Sequence, residues 1–326
     1  MREFRYLRPD DVPAAVAAVR ADPGAAFLAG GTTQLDLMKD GVLAPSALVD
    51  VSRLPLRDIA LDGEVLRIGA MATMAQVAAD PLVAERLPVV ARALLASASP
   101  QLRNTATIGG NLLQRTRCRY FRDPSVAACN KRAPGSGCAA ITGGARMHAV
   151  LGAGADCIAV HGSDLAVVLT ALDAVVRVAG PDGERAVPLT GFYRIPGATP
   201  EVEHVLDRDE LITGVEVPLP SPGERSEYLK VRDRASYEFA LTSAAVVVDA
   251  GGGVVRRARI ALGGVGTVPW RATEAERALA DRPSTVDCFA AAAGLALRDP
   301  FTVPGTEFKV ELARRTLIRA LRTATS

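Results

Sequence analysis

The stretch "GAAFLAGGTTQLDLMKDG", Gly24–Gly41, reads as a short buried strand, a double-glycine turn and a helix. Adjacent glycines let the backbone reach positive φ and expose successive N–H groups, which makes a concavity suited to an anion such as pyrophosphate. The start of the following helix adds favourable partial charge, and Thr32 and Thr33 add hydroxyls. The same residues also suit a plain strand–helix turn capped by threonine. A second double glycine, in "TATIGGNLL" (Thr105–Leu113), repeats the chemistry, and two anion cradles in one chain point to a dinucleotide.

The two best-known nucleotide folds do not fit. A Rossmann fingerprint needs G-x-G-x-x-G between strand and helix. The nearest candidate, "GAGADC" from Gly152, ends in Cys157 and runs into strand-like "IAV". No G-x-x-x-x-G-K-[ST] occurs, which excludes a P-loop.

Outward from the first turn, "FRYLRP" is strand-like and "PDDVPAAVAAVRAD" is a helix with aspartate caps and an early proline. "SALVDVSRL" and "EVLRIGAMAT" are strands. "MAQVAADPLVAERLPVVARALLASAS" carries two amphipathic helical segments broken at Pro81 and Pro88, and "QLRNTATIGGNLLQ" is turn-rich. "CIAVHGSDLAVVLTALDAVVRVAG" fits strand, capped helix, strand. Residues 181–210 read as a connection between domains. Beyond it come "ELITGVEVPLP", "RSEYLKVRD" and a hairpin across "DAGGG", then three helical patterns. Strands and helices without strict βαβ alternation imply an α+β architecture.

At 326 residues the chain has room for two or three packed subdomains. Its net charge of +2 gives no reason to expect a nucleic acid or an anionic membrane as partner. No run of apolar residues is long enough for membrane insertion, and "MREFRYLRPDD" lacks the apolar core of an export signal. An odd count of five cysteines weakens a disulfide framework.

Four of those cysteines fall on one segment, with spacings C-x10-C, C-x8-C and C-x18-C from Cys118 through Cys129 and Cys138 to Cys157. Zinc knuckles and ferredoxins use shorter spacings, so neither is matched. Four thiolates on a glycine- and proline-rich segment can still meet at one metal centre. A four-thiolate [4Fe–4S] cluster is a net anion, and Arg115, Arg117, Arg119, Arg122, Lys131 and Arg132 would offset its charge. A solvated basic loop with unpaired thiols is the plainer reading. Cys288, on a helical apolar pattern, reads as a buried small hydrophobe.

Three further positions carry two readings each. Asp164 is either a helix cap shared with Ser163 or an acceptor for a ribityl or ribose hydroxyl. Lys230 is either a solvated strand residue or a cation beside a flavin, where it would stabilise charge on the reduced ring. The histidines (His148, His161 and His204) are scattered and read as ordinary polar residues.

"FLAGGTTQLDLMK", "QLRNTATIGGNLLQRTRC", "SDLAVVLTALDA", "YLKVRDRASYEFAL" and "ALGGVGTVPWRATEAE" occur in the order seen in the FAD-binding (medium) subunits of the molybdenum hydroxylase, or xanthine dehydrogenase, family. The chain resembles that family along essentially its whole length. It is most similar to the branch of periplasmic aldehyde oxidoreductases, whose FAD subunit carries an extra [4Fe–4S] cluster on an inserted cysteine loop. The resemblance implies a vanillyl-alcohol-oxidase-like (PCMH-type) FAD-binding fold. Residues 1–56 and 57–180 would be two α+β subdomains, the second bearing the cysteine loop at 116–157. Residues 181–210 would connect them to a C-terminal α+β domain of the CO-dehydrogenase flavoprotein type at 211–326.

The resemblance also implies site residues. Phe27 and Leu28 would lead into Ala29, Gly30, Gly31, Thr32, Thr33 and Gln34 around the pyrophosphate. Thr105, Thr107, Ile108, Gly109, Gly110 and Asn111 would contact flavin and phosphate. Gly162 and Asp164 would hold the ribityl or ribose side, and Ile212 and Lys230 would approach the isoalloxazine. Cys118, Cys129, Cys138 and Cys157 would ligate the cluster. Implied partners are a molybdopterin-binding large subunit and a [2Fe–2S] small subunit in a heterotrimer, with an external electron acceptor. No catalytic residue for the aldehyde is expected on this chain. It would reside in the cytoplasm, or in the periplasm by co-export with a partner. A stand-alone FAD-dependent oxidase and a non-enzymatic zinc-binding scaffold are the competing readings.

Overall fold

The computed structural model describes residues 1–326. Its first sheet has strands β1 (Arg5–Leu7), β2 (Ala25–Leu28) and β3 (Ala47–Asp50), parallel and in the order β1–β3–β2. Parallel neighbours need crossovers. Helices Val12–Ala21 and Gln34–Lys39 lie in them. The first begins where the Asp11 carboxylate accepts the Ala14 N–H.

The second sheet is antiparallel and holds β4 (Ile59–Asp62), β5 (Val65–Gly69), β6 (Val175–Gly180), β7 (Gly183–Pro188) and β8 (Leu211–Pro218), in the order β4–β5–β8–β6–β7. Between β5 and β6 the chain makes a long excursion through a helical layer, the cysteine segment and helix Asp164–Ala171. Helices Met74–Ala79, Pro81–Arg86 and Pro88–Ala96 form the layer, three where the sequence suggested two. Proline lacks the N–H that an interior position needs, so Pro81 and Pro88 each start a helix instead. Asp80 caps the second through the Leu82 and Val83 amides.

Other local expectations change too. β4 had no clear alternation and was not anticipated. Part of the expected connection is β7, paired with β6. β8 lies at the centre of the second sheet and not with the C-terminal strands. Gly109 and Gly110 sit inside a short helix, Ile108–Leu112, whose cap is the Thr107 hydroxyl. Cys157–His161 is irregular, held by backbone bonds such as Ala149 N–H to the Ile158 carbonyl at 2.9 Å.

The third sheet runs β12 (Trp270–Arg271), β11 (Val254–Gly263), β10 (Thr242–Gly251), β9 (Glu224–Val231), with β13 (Arg282–Pro283) beside β11. Helices Thr273–Leu279, Val286–Ala296 and Phe308–Thr325 follow. β10 is buried on both faces. Ala244, Val246 and Val248 enter the C-terminal core, while Ala245 and Val247 enter the core of the N-terminal half. Tyr228 of β9 and Ala261 of β11 enter the same N-terminal core, so the two halves pack through one face of the third sheet. Cys288 is only half-buried, at the edge of the C-terminal core. No helix is long and apolar enough to cross a membrane.

Candidate functional site

The two double-glycine motifs meet. A Cβ on Gly30 would fall 2.1 Å from the Thr105 carbonyl oxygen, so only glycine lets the first turn seat against the second motif. Gly31 adopts φ +71°, the left-handed region that favours glycine. Against this junction lies a cavity of about 290 Å³, walled by Phe27, Ala29, Gly30, Gly31, Thr32, Thr33, Gln34, Thr107, Gly109, Gly110 and Ile212. The Gln34 side-chain nitrogen is buried there without a partner. A buried donor left unpaired costs about 1–3 kcal/mol, which an incoming oxygen acceptor recovers.

A second cavity of about 270 Å³ shares Thr32, Thr33 and Gly110 with the first and continues past Asn111, Gly162, Asp164 and Lys230. Helix Asp164–Ala171 is capped by the Ser163 hydroxyl, which accepts the Ala166 N–H. That frees the Asp164 carboxylate, 6% exposed, to face inward. It accepts from Ser97 Oγ at 2.7 Å, from Lys230 Nζ at 2.7 Å and from the Tyr228 hydroxyl. The Tyr228 hydroxyl is pushed well up by burial and by the carboxylate beside it, so it stays protonated and donating. Lys230 is not a solvated strand residue: its side chain is 4% exposed. On this strand Tyr228 and Lys230 are two apart and share a face. At the cavity edge Ala98 and Tyr237 both hold φ +51°, an uncommon conformation for residues with a Cβ.

The cysteine segment packs beside these cavities. Cys118 precedes the turn of helix Arg119–Arg122, and its sulfur is 3.2 Å from His148 Nε2. Cys129 and Cys138 face each other as a backbone bridge, and Ala159 N–H lies 3.4 Å from Cys157 Sγ. All five cysteines are free thiols. Burial pushes the Cys118 thiol up to about 11; the Tyr120 and Phe121 amides oppose this, and Cys157 and Cys129 add to it. Burial also raises the Cys157 thiol, Lys131 opposing it and Cys138 and Cys129 reinforcing it. No three His, Cys, Asp or Glu side chains are grouped to hold one metal ion.

The basic residues expected to offset a cluster are mostly committed elsewhere. Arg115 and Lys131 bind Glu203 at 2.5 and 3.0 Å. Arg117 and Arg122 bind Asp36 at 2.6 and 2.7 Å, and Arg132 donates to the carbonyls of Tyr120, Phe121 and Val126. Burial would raise the Asp36 carboxyl, but hydrogen bonds from Arg122 and Arg117 hold it below its ordinary value.

Residues 2–220 match the FAD binding domain in molybdopterin dehydrogenase, and residues 227–324 match the CO dehydrogenase flavoprotein C-terminal domain. The chain belongs to the FAD-binding flavoproteins of the molybdopterin dehydrogenases. It is 45% identical over 99% of both chains to the aldehyde oxidoreductase FAD-binding subunit PaoB of Escherichia coli K12. To the carbon monoxide dehydrogenase medium chain of Hydrogenophaga pseudoflava it is 28% identical, over 98% of this chain and 96% of that one. The solved carbon monoxide dehydrogenase of Hydrogenophaga pseudoflava that lacks the Mo-pyranopterin moiety superposes with a TM-score of 0.79 at 29% identity, covering 99% of this chain and 97% of the other. The α+β flavoprotein fold read from the sequence is the fold found.

The residues of this flavoprotein fit FAD. Two linked cavities, glycine backbone on one side and an unpartnered Gln34 donor, suit a pyrophosphate between two larger groups. Of the residues expected at the flavin, three line neither cavity. Ile108 is buried core, the Thr105 carbonyl closes against Gly30, and Leu28 packs behind Gly31. Ser97, Tyr228, Ala98, Tyr237 and Phe239, the last also in the wall of the second cavity, were missed. The period-two spacing of Tyr228 and Lys230 was the available signal; the others join the site only through tertiary packing.

Proposed function

We propose that this chain is the FAD-binding subunit of a heterotrimeric, molybdenum-containing aldehyde oxidoreductase. A large molybdopterin-binding partner oxidises the aldehyde to its acid with oxygen from water, and a small partner with [2Fe–2S] centres brings the electron pair to this chain. FAD, when bound, accepts electrons one at a time and passes them to an external acceptor. The protein's own residues hold it: Gly30, Gly31, Thr32, Thr33 and Gln34 cradle the pyrophosphate, and Gly110 and Asn111 continue the wall. Asp164 orients the ribityl or ribose hydroxyls while fixed by Ser97 and Tyr228. Lys230, on the second cavity, would face the isoalloxazine and offset negative charge there, whereas Ile212, expected beside it, lines the first cavity. The observation that carries this reading is the pair of cavities joined at Thr32, Thr33 and Gly110.

Cys118, Cys129, Cys138 and Cys157 ligate a [4Fe–4S] cluster in this reading. Supporting it are four cysteines outside any disulfide on one segment, with Cys129 and Cys138 paired as a backbone bridge and Cys118 packed against the small core that holds Cys129. The 45% identity to an aldehyde oxidoreductase subunit supports the aldehyde as substrate class. The test is purification of the chain with its partners, followed by aldehyde oxidation and iron counting. Aldehyde oxidation in the complex but not in the isolated chain is expected, with Cys129→Ser losing the iron of one cluster. Aldehyde oxidation by the isolated chain, or unchanged iron in Cys129→Ser, contradicts the reading.

A further inference from the structure

Helix Gln34–Lys39 continues directly from the glycine turn, and its Gln34 and Leu37 line the cavity assigned to the pyrophosphate side. The cysteine segment grips that helix in two ways. Leu37, fully buried, packs in one small core with Phe121 and Cys129, with Cys118 against it. One residue earlier, the Asp36 carboxylate receives Arg117 at 2.6 Å and Arg122 at 2.7 Å. Arg122 also reaches Asp40 at 3.3 Å and the Thr116 carbonyl at 3.1 Å, and its side chain is 13% exposed. Arg117 precedes Cys118 and Arg122 ends the helix that Cys118 opens, so the cysteine segment presents both guanidiniums to Asp36.

Asp36 lies in the first turn of the helix that follows the phosphate turn, where a bare carboxylate opposes an anionic ligand. The two arginines neutralise it and fix the helix at the same time. We infer that Arg122 is a positioning residue for FAD, acting through Asp36, so that the cysteine segment and the flavin phosphate turn bind their cofactors as one coupled unit. Coupling between sites is reciprocal: ordering the cysteine segment tightens FAD, and FAD steadies the cysteine segment. The Arg122 contact itself requires no metal; the metal arm of the coupling rests on the iron–sulfur reading above.

The experiment is a double-mutant cycle on the full chain, freed of FAD and titrated with FAD by flavin fluorescence, with iron counted per chain. Arg122→Gln is expected to weaken FAD about tenfold, within the range usual for coupled sites. In an Asp36→Asn background the same change is expected to weaken it less than about twofold, because the residue through which it acts is gone. Arg122→Lys, which keeps the charge, recovers most of the affinity. Phe121→Leu loosens the apolar grip and weakens FAD severalfold, a second reading should Arg122→Gln fold poorly. Equal loss from Arg122→Gln in both backgrounds, or unchanged FAD affinity in folded Arg122→Gln and Phe121→Leu, overturns the proposal. FAD affinity unchanged on stripping iron from wild type overturns the metal arm. Wild-type protein without iron instead contradicts the iron–sulfur reading, and the cycle still decides the role of Arg122.

Discussion

Lys230 Nζ stands 2.7 Å from Asp164 Oδ2, with the two side chains 4% and 6% exposed. The pair ties β9 of the C-terminal sheet to the helix that closes the N-terminal excursion. Removing one partner leaves the other as an uncompensated buried charge, which costs about 3–5 kcal/mol. Lys230→Met is therefore expected to lower unfolding free energy by about 3 kcal/mol and to lose FAD. Lys230→Met with Asp164→Asn should cost less than the sum of the single changes. Denaturant titration and flavin content per chain check both; additive losses would mean that the two groups act independently.

The glycine turn makes unequal demands on its two residues. Gly31→Ala meets its positive φ, at a cost of about 1–2 kcal/mol, and the flexible Leu35 side chain at 3.0 Å, which can give way. Gly30→Ala sets a methyl 2.1 Å from the Thr105 carbonyl oxygen, a rigid backbone atom, and must part the two motifs. Gly30→Ala is expected to destabilise more than Gly31→Ala and to lose FAD outright. Thermal unfolding and bound flavin rank the two; equal effects would show that the junction can give.

Acid should release a different contact. Burial would raise the Glu203 carboxyl, yet Arg115 and Lys131 hold it below its ordinary value of 4.5. A depressed carboxylate stabilises the fold above its unfolded pKa, and that contribution fades as pH falls through the folded value. Wild-type stability should therefore drop below about pH 4.5 by a component that Glu203→Gln lacks. At neutral pH Glu203→Gln should cost about 3 kcal/mol, since Arg115 and Lys131 are left facing each other. Thermal unfolding from pH 3 to pH 7 in both proteins checks the sign.

How legible was this molecule in its sequence? The strand–turn–helix around Gly30, the β10–β11 hairpin and the three closing helices followed from period and turn chemistry, because those elements are set locally. β4 and β7 were missed because each is mostly exposed and borders turn residues, so sheet pairing decides them. Asp164 and Lys230 each carried two readings, and the structure separates them: Ser163 takes the cap and Asp164 takes the lysine. No spacing rule could pair residues 66 apart. The arginines flanking Cys118 looked like a shell for a cluster, yet their carboxylate partners lie far off in sequence, at Asp36 and Glu203.

The most direct measurement is the flavin bound by the purified full chain, released by denaturation and identified by chromatography against FAD and FMN. About one FAD per folded chain is expected, falling sharply in Gly30→Ala and Lys230→Met while a surface change such as Arg282→Gln leaves it intact. Folded chain that takes up no FAD, or that prefers FMN and so has no use for one of the two linked cavities, would contradict the assignment.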